Sequence, residues 1–338
     1  IIGLVGSLVS SCQQSLDEEV QLPARSGKAE ITFTIALDNI GSRSRASWED
    51  NETAGDSSVG NEFDNQIDLT SANGFQVLAY NTNGDFLGEV TNKEIRKVSV
   101  NEYKFNGQLT VNNLSSETLE CHLMVYANCI NSKETFNYKT QYIPMWGVKQ
   151  TTLHLTKGEL TNLKEPIYLL RAMAKVEVKL SDEIADKFEM SSVMVDKYNT
   201  MGNVLPNYSI LTDTEKLNQN TVFNPNSTTT GSNLHFTQVT GEESFYIYLP
   251  EYDNTSEGTV PATMKVMIDG TEFTLDFKNY QTNTPFNVVR NHYYQYIITS
   301  VNTVENVLVA DILYQSMPWK DVDNGNLTFG NGNGDTQF

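Results

Sequence analysis

Apolar residues in this chain recur at every second position in short runs, separated by segments rich in Asn, Gly, Asp, Ser and Thr. A period of two is the pleat of a β-strand with one face buried; a helix repeats every three to four residues. AEITFTIAL (29 to 37) places Ile31, Phe33, Ile35 and Leu37 on one face. GFQVLAYNTNGDFLGEV (74 to 90) holds two strands around Asn83-Gly84, a dipeptide suited to the positive φ angles of a hairpin turn. A strand around Phe105, Leu109 and Val111 comes next, then LECHLMVYAN, with Cys121, Leu123, Val125 and Ala127 inward. RAMAKVEVKL alternates Ala172, Ala174, Val176 and Val178 with Arg171, Met173, Lys175, Glu177 and Lys179, the pattern of a half-buried antiparallel strand. Later runs cover 192 to 199, 244 to 252, 263 to 277 with Asp269-Gly270 as a second hairpin turn, 292 to 301 and 306 to 314. One short helix is expected in LSDEIADKF, with Ser181 as its N-cap.

This is an all-β pattern, and the number of runs fits two tandem antiparallel β-sandwiches of about seven strands each. The polar stretches 41 to 66, 215 to 233 and 253 to 260 read as loops. GELTNLKEP interrupts the alternation between Thr156 and Arg171, so the expected division is 29 to 163 and 164 to 320. The closing segment 321 to 338 ends in GNGNGDTQF and is expected to be a flexible tail.

The first residues, IIGLVGSLVSSC, are apolar and small, and too few for a membrane-spanning helix of about 20 residues. They fit the h-region and cleavage site of a secretory signal whose basic leader is missing, so the chain is expected to begin partway through it. Val9-Ser10-Ser11-Cys12 resembles the lipobox of bacterial lipoproteins, which makes Cys12 the expected lipidation site and residues 1 to 12 the signal. An ordinary signal peptide that contains a cysteine is the competing reading. Residues 13 to 28 are polar and acidic and read as a flexible tether. Gln13, rather than Asp, after the cysteine resembles lipoproteins sorted to an outer membrane.

The net charge of −19 argues against nucleic acid as a partner, because phosphates require a basic face. Cys121 and Cys129 share a parity eight residues apart, about 27 Å along one strand, whereas a disulfide needs Cα atoms within about 7 Å. They read as buried small hydrophobes. None of His122, His154, His235 and His292 has a partner at metal-ligand spacing, and no G-x-S-x-G elbow occurs. The Gly-rich 330 to 334 stretch lacks a following helix to cradle phosphate, and Asp321-Val322-Asp323-Asn324-Gly325 lacks the distal Glu of a calcium loop. No cofactor or metal is expected, and no catalytic residue is assigned. The aromatic runs SFYIYLPEY and HYYQYIITS leave two readings open: Tyr246, Tyr248, Tyr294 and Tyr296 as a ligand-stacking platform, or as cross-strand packing.

Several segments in order resemble the fimbrillin family of Bacteroidetes, the subunits of type V pili. They are Ser44-Arg45-Ala46-Ser47-Trp48, the hairpin GFQVLAYNTNGDFL, IPMWG (143 to 147), LLRAMAKVEV (169 to 178) and YNTMGNVLP (198 to 206). FYIYLPEY (245 to 252), VVRNHYYQYIITS (288 to 300) and MPW (317 to 319) complete the set. The resemblance implies two transthyretin-like Greek-key sandwich domains and export as a lipoprotein to the outer membrane and cell surface. It also implies assembly with other fimbrial subunits and leaves room for a host or bacterial surface ligand. Under it the acidic Asp17-Glu18-Glu19 cluster is similar to a surface-export signal, though a solvated charge run reads equally well.

In polymerising members an Arg-specific protease removes the first strand, and a strand from the next subunit fills the groove. Carried onto this sequence, the exchangeable strand is Ile31, Phe33, Ile35 and Leu37, with Arg43 and Arg45 as candidate processing sites in the polar loop behind it. Those arginines read equally as solubilising charges. A C-terminal donor strand would carry several alternating apolar residues, yet only Val322, Leu327 and Phe329 follow Trp319. Stalk, anchor, accessory and tip roles therefore all stay open. The alternative is a surface glycan-binding lipoprotein that stacks sugars on the Tyr-rich strands or on Trp48, Trp146 and Trp319.

Overall fold

The computed structural model describes residues 25–37, 67–69, 74–98, 102–114, 116–129, 134–140, 142–155, 159–207, 213–214, 222–239, 241–280, 282–302 and 307–316. The chain begins with β1 (Arg25–Ala36), β2 (Phe75–Asn81), β3 (Phe86–Glu89), β4 (Thr91–Lys97), β5 (Glu102–Leu114) and β6 (Thr118–Ala127). Next come β7 (Thr135–Asn137), β8 (Met145–His154), β9 (Leu160–Asn162), β10 (Ile167–Tyr168) and β11 (Leu170–Arg171). The second half opens with β12 (Met173–Leu180), α1 (Asp182–Ala185), β13 (Met190–Val195), β14 (Tyr198–Asn199) and β15 (Met201–Asn203). Short β16 (Thr230–Gly231), β17 (Leu234–His235) and β18 (Thr237–Gln238) lead to β19 (Ser244–Pro250), β20 (Thr263–Ile268) and β21 (Thr271–Asp276). The last strands are β22 (Lys278–Asn279), β23 (Thr284–Pro285), β24 (His292–Asn302) and β25 (Val307–Ser316).

Two pairs of sheets enclose two apolar cores. In the first pair the orders are β10-β1-β5-β4, with β9 also on β1, and β11-β8-β6-β2-β3. Their facing sides bury Phe33, Phe105, Val77, Leu123, Val125 and Met145. In the second pair the orders are β18-β19-β12-β24-β25 and β17-β13-β20-β21, closed over Val176, Val193, Val266, Phe273 and Tyr296. Most pairings are antiparallel; β1 with β9 and β10, and β12 with β24, run parallel. A third apolar cluster joins the two halves. It sets Met124, Tyr126, Trp146 and Val148, from the back of the β6–β8 sheet, against Met173, Val204 and Val222. Antiparallel pairing of β7 with β15 ties the halves a second time.

The predicted turns form as their residues require. Asp269 and Gly270 take φ angles of 48° and 76° and join β20 to β21 with Ile268 opposite Thr271. The first hairpin is longer: Asn81 Oδ1 accepts from the Asn83 and Asp85 amides, and Gly84 takes the positive φ. Ser181 has N-cap geometry before α1, but its hydroxyl makes no capping bond. Cys121 lies in the first core, and Cys129 lies in the joining cluster, donating to the Met145 carbonyl at 3.7 Å. Burial pushes the Cys121 thiol up to about 12, so it remains uncharged.

Three expectations need correction. The strand begins at Arg25, inside the expected tether, because pairing with β5 continues through Lys28, Gly27 and Arg25. Backbone pairing needs only N–H and C=O groups, so it outruns the apolar pattern. The changeover between the halves falls at Ala172, since β9 and β10 pair with β1, and β11 pairs with β8. Finally, β12 is buried on both faces, its own Lys175 and Glu177 and the preceding Arg171 being inaccessible to solvent. It lies between β19 and β24, the second of which is parallel to it.

Two edges of the first sheet pair are polar or covered. The exposed strand β4 is TNKEIRK, whose charges discourage pairing with a second chain. On β8, the Thr214 hydroxyl accepts from the Val148 amide at 2.6 Å, and Asp213 Oδ1 accepts from the Gln150 amide at 2.5 Å. Gly147 is where β8 lies directly against the chain leading out of the first half. A Cβ there would stand 2.2 Å from the Tyr168 carbonyl oxygen and 2.7 Å from Leu169 Cδ2. Gly147→Ala should therefore destabilise the fold by about 1–3 kcal/mol. Urea unfolding checks this: the midpoint should fall without a change in slope.

Candidate functional site

The row of side chains on β1 is fully enclosed in the first core. Ala29, Phe33 and Ile35 are 0% exposed, and Ile31 and Leu37 are 1% exposed. The Phe33 ring packs 4.6 Å from Phe105, which in turn meets Phe75 at 5.4 Å. Burial of each large side chain stabilises by ~1.5–3 kcal/mol. On the opposite face Thr32 donates to the Phe105 carbonyl at 3.1 Å. The backbone is paired along both sides, antiparallel to β5 from Arg25 to Ala36 and parallel to the short β9 and β10. At its end the Leu169 amide donates to the Ala36 carbonyl at 2.9 Å. Arg171 Nη1 donates to the Leu37 carbonyl at 3.0 Å. The structure thus brings Ile31, Phe33, Ile35 and Leu37 together; Cys12, Arg43 and Arg45 lie outside the described residues.

The tyrosine runs divide between two surfaces. Tyr294 and Tyr296 face the second core. Tyr246, Tyr248 and Tyr293 stand on the other face, around the Lys175 ammonium at 5.3, 5.9 and 5.3 Å from their ring centroids. Beside it Glu177 accepts from Ser244 Oγ at 2.5 Å, from Gln295 Nε2 at 2.8 Å and from the Tyr293 hydroxyl. Burial alone would raise the Glu177 pKa; these three hydrogen bonds and the Lys175 charge outweigh it and hold the carboxyl below its ordinary value. Trp146 is 1% exposed and Tyr296 is 0% exposed, so neither offers a face to a sugar. Trp48 and Trp319 lie outside the described residues.

Near the joint between the halves an ion pair is buried. Arg290 Nη2 donates to Glu251 Oε2 at 2.8 Å, both side chains being at most 2% exposed. Nη1 and Nη2 also donate to the Val204 and Asn203 carbonyls at 2.7 and 2.9 Å. No local pattern in the sequence announces this network, because its members come from β15 and from the residues after β19 and before β24. An open groove of about 610 Å³ runs between Lys149–His154 and Leu160–Glu165. Its lining holds no Phe, Tyr or Trp, and Lys149 is engaged by Glu165 at 2.9 Å. Among the described residues no group of three His, Cys, Asp or Glu side chains could hold a metal, and no helix is long and apolar enough to cross a membrane.

Fold and site together define an all-β chain of two sheet pairs whose first strand is an inserted, centrally placed element. No family model and no curated protein sequence matches it. Among solved structures, the tip fimbrial protein Mfa3 from Porphyromonas gingivalis, with a C-terminal truncation, has the same fold. The TM-score is 0.55 at 12% identity, over 85% of this chain and 98% of that one. A fimbrial assembly protein from Parabacteroides distasonis aligns with a TM-score of 0.45 at 13% identity, over 85% of this chain and 100% of that one. A cell adhesion protein from Bacteroides uniformis aligns with a TM-score of 0.47 at 11% identity, over 73% and 92% of the two chains.

His292 opens β24 beside Arg290, with Nδ1 2.7 Å from the Arg290 carbonyl and its ring stacked on Tyr294. Burial pushes its pKa from 6.5 down to about 4, against the smaller opposing effect of that hydrogen bond. Between those values the unfolded chain binds more protons than the folded one, so stability is full above about pH 6.5 and falls as pH drops towards 4. The range amounts to roughly 3 kcal/mol. In urea titrations at stepped pH, His292→Asn should lower stability at pH 7.5 and flatten the slope between pH 6.5 and 4 by about that amount.

Proposed function

We propose that this chain is a cell-surface structural protein of the fimbrial or adhesin type that associates with other subunits by strand addition at the β1 position. The observation that carries the reading is the row Ile31, Phe33 and Ile35, at most 1% exposed and held only through alternating side chains and backbone pairing. Any segment with the same alternation can make those contacts, because pairing with β5 uses main-chain groups common to all residues. Without an occupant the edge of β5 and an apolar trough would be bare, which is a strong drive to capture a strand. The fold shared with a tip fimbrial protein supports the same reading.

In this proposal Cys12 carries the lipid that attaches the chain to the outer membrane, and the acyl chains supply ~0.8 kcal/mol per buried CH₂. Cleavage after Arg43 or Arg45 would sever the only covalent link between β1 and β2, leaving β1 held by non-covalent contacts. The partners are other fimbrial subunits, with a surface ligand of the host or of neighbouring bacteria for an adhesive member. The Lys175 and Tyr246 face is too enclosed to favour the sugar-stacking alternative.

Limited digestion of the intact chain with an Arg-specific protease tests the proposal. Mass spectrometry should place a cut after Arg43 or Arg45, and the two fragments should co-elute under native conditions yet separate in denaturant. Chains so cut should form larger species on sizing. A chain that stays uncut there, or that is cut but remains monomeric with no strand taken up, overturns it.

A further inference from the structure

We propose that β1 is a mechanical clamp: a pull between the attached end of the chain and its second half loads the whole β1 ladder in shear. The inference rests on the surface-attachment reading, in which Cys12 is the anchored residue, and deepens it.

The segment from Cys12 enters β1 at Arg25, and the strand then runs 12 residues, about 40 Å, towards the joint between the halves. At that end Ile35 and Ala36 pair with Ile167 and Tyr168 of β10. From β10 the backbone continues through β11 into β12, whose Met173 lies in the apolar cluster that joins the halves. The end of β12 remote from the joint is Leu180, whose amide donates to the Glu243 carbonyl at 3.1 Å, just before β19. Arg25 and Glu243 thus stand at opposite ends of a path that follows β1 through the first half and β12 through the second.

Bonds across an antiparallel ladder lie perpendicular to the strands. A force along the strand stresses them together, whereas a force that parts the strands from one end breaks them in turn. The β1 ladder runs from Arg25 opposite Leu114 to Ala36 opposite Glu102, with β9 and β10 on its other side. Because β10 is parallel to β1, tension draws β1 by its N-terminal end and β10 by its C-terminal end, which is again shear. Side chains add resistance: Ile31, Phe33 and Ile35, at most 1% exposed, must slide past Phe105 and its neighbours in one step. Peeling meets less resistance, since the register is irregular between Arg25 and Gly27, and Ser26 and Lys28 are exposed. A strand seated in this way withstands axial tension yet yields to replacement residue by residue.

Force spectroscopy on the full chain in a Cys12→Ser background tests the clamp, with pairs of introduced cysteines as handles. Cys121 and Cys129 are buried and stay unreacted. Ser26→Cys with Glu102→Cys pulls the β1–β5 ladder from opposite ends, and Ser26→Cys with Asn112→Cys parts the same ladder from one end. Ser26→Cys with Glu242→Cys applies the load along the path through both halves. At one loading rate the first and third pairs should open at forces severalfold above the second, since forced opening follows the unfolding rate in each geometry. Equal forces for the first two pairs overturn the shear geometry. A third-pair force as low as the peeling value overturns the clamp. Both results leave surface attachment and strand addition intact, because the handles act on the folded chain in solution. Attachment is decided apart from them, by recovery of the natural chain, and not of Cys12→Ser, with outer membranes. Equal recovery of the two brings down that reading, and with it the pull that the clamp is to resist.

Discussion

The first half of this protein is organised around a strand that both of its neighbours need. β5 is bonded along its length to β1, and the short β9 and β10 have β1 as the partner that brings them into the sheet. The apolar row of β1 then meets Phe105 on its own sheet and is closed over by the sheet carrying Val77, Leu123 and Met145. Such a row cannot be withdrawn and leave the rest in place, because the exposed trough would present several large side chains to water at once. The energetics favour an occupied position, and they are largely indifferent to which chain supplies the occupant. Geometry at the strand's end adds what hydrophobic contact lacks, a directional bond from a fixed cation.

The two halves are not independent beads. The back of the β6–β8 sheet is apolar where an isolated sandwich would be polar, and Trp146, Met124 and Val148 are covered by residues of the second half. Around this patch lie Arg171 and the Arg290–Glu251 pair. Buried ion pairs add little net stability compared with apolar replacements, but removing one partner is severe. Arg171 reaches both the Leu37 carbonyl and Asn291, while Arg290 and Glu251 tie Asn203 and Val204 to the start of β24. The end of β1, the start of β12 and the start of β24 are thereby referred to a common point.

Much of this was legible in the alternation of residues. Phe33, Cys121, Val176 and Val266 sit on the faces that their spacing predicts, and Asp269-Gly270 makes the turn that its φ preferences demand. The polar side of β12 was misread as a solvent face. Lys175 and Glu177 find their neighbours on β19 and β24, 67 and 116 residues away for Ser244 and Tyr293, and no window on the sequence contains those partners. Arg171 is a sharper instance, since its acceptor on Leu37 is 134 residues distant. The parallel β9 and β10 were missed for a related reason: each is two or three residues long and exists only because β1 is beside it. For the candidate site, the apolar row was readable, while its flanking by strands on both sides was not.

The same geometry bears on how an exchange of the first strand could proceed. A nick between β1 and β2 removes a covalent tie but none of the bonds to β5 from Arg25 to Ala36, and none of the buried side-chain contacts. Spontaneous loss of the whole strand would expose the entire row together and would be slow. Replacement from one end is easier, since each residue displaced is matched by one gained. The two ends differ: near Arg25 the register is irregular and the neighbouring side chains Ser26 and Lys28 are exposed, whereas Leu37 is buried and bonded to Arg171. Displacement from the Arg25 end would therefore disturb fewer buried contacts than displacement from the Leu37 end.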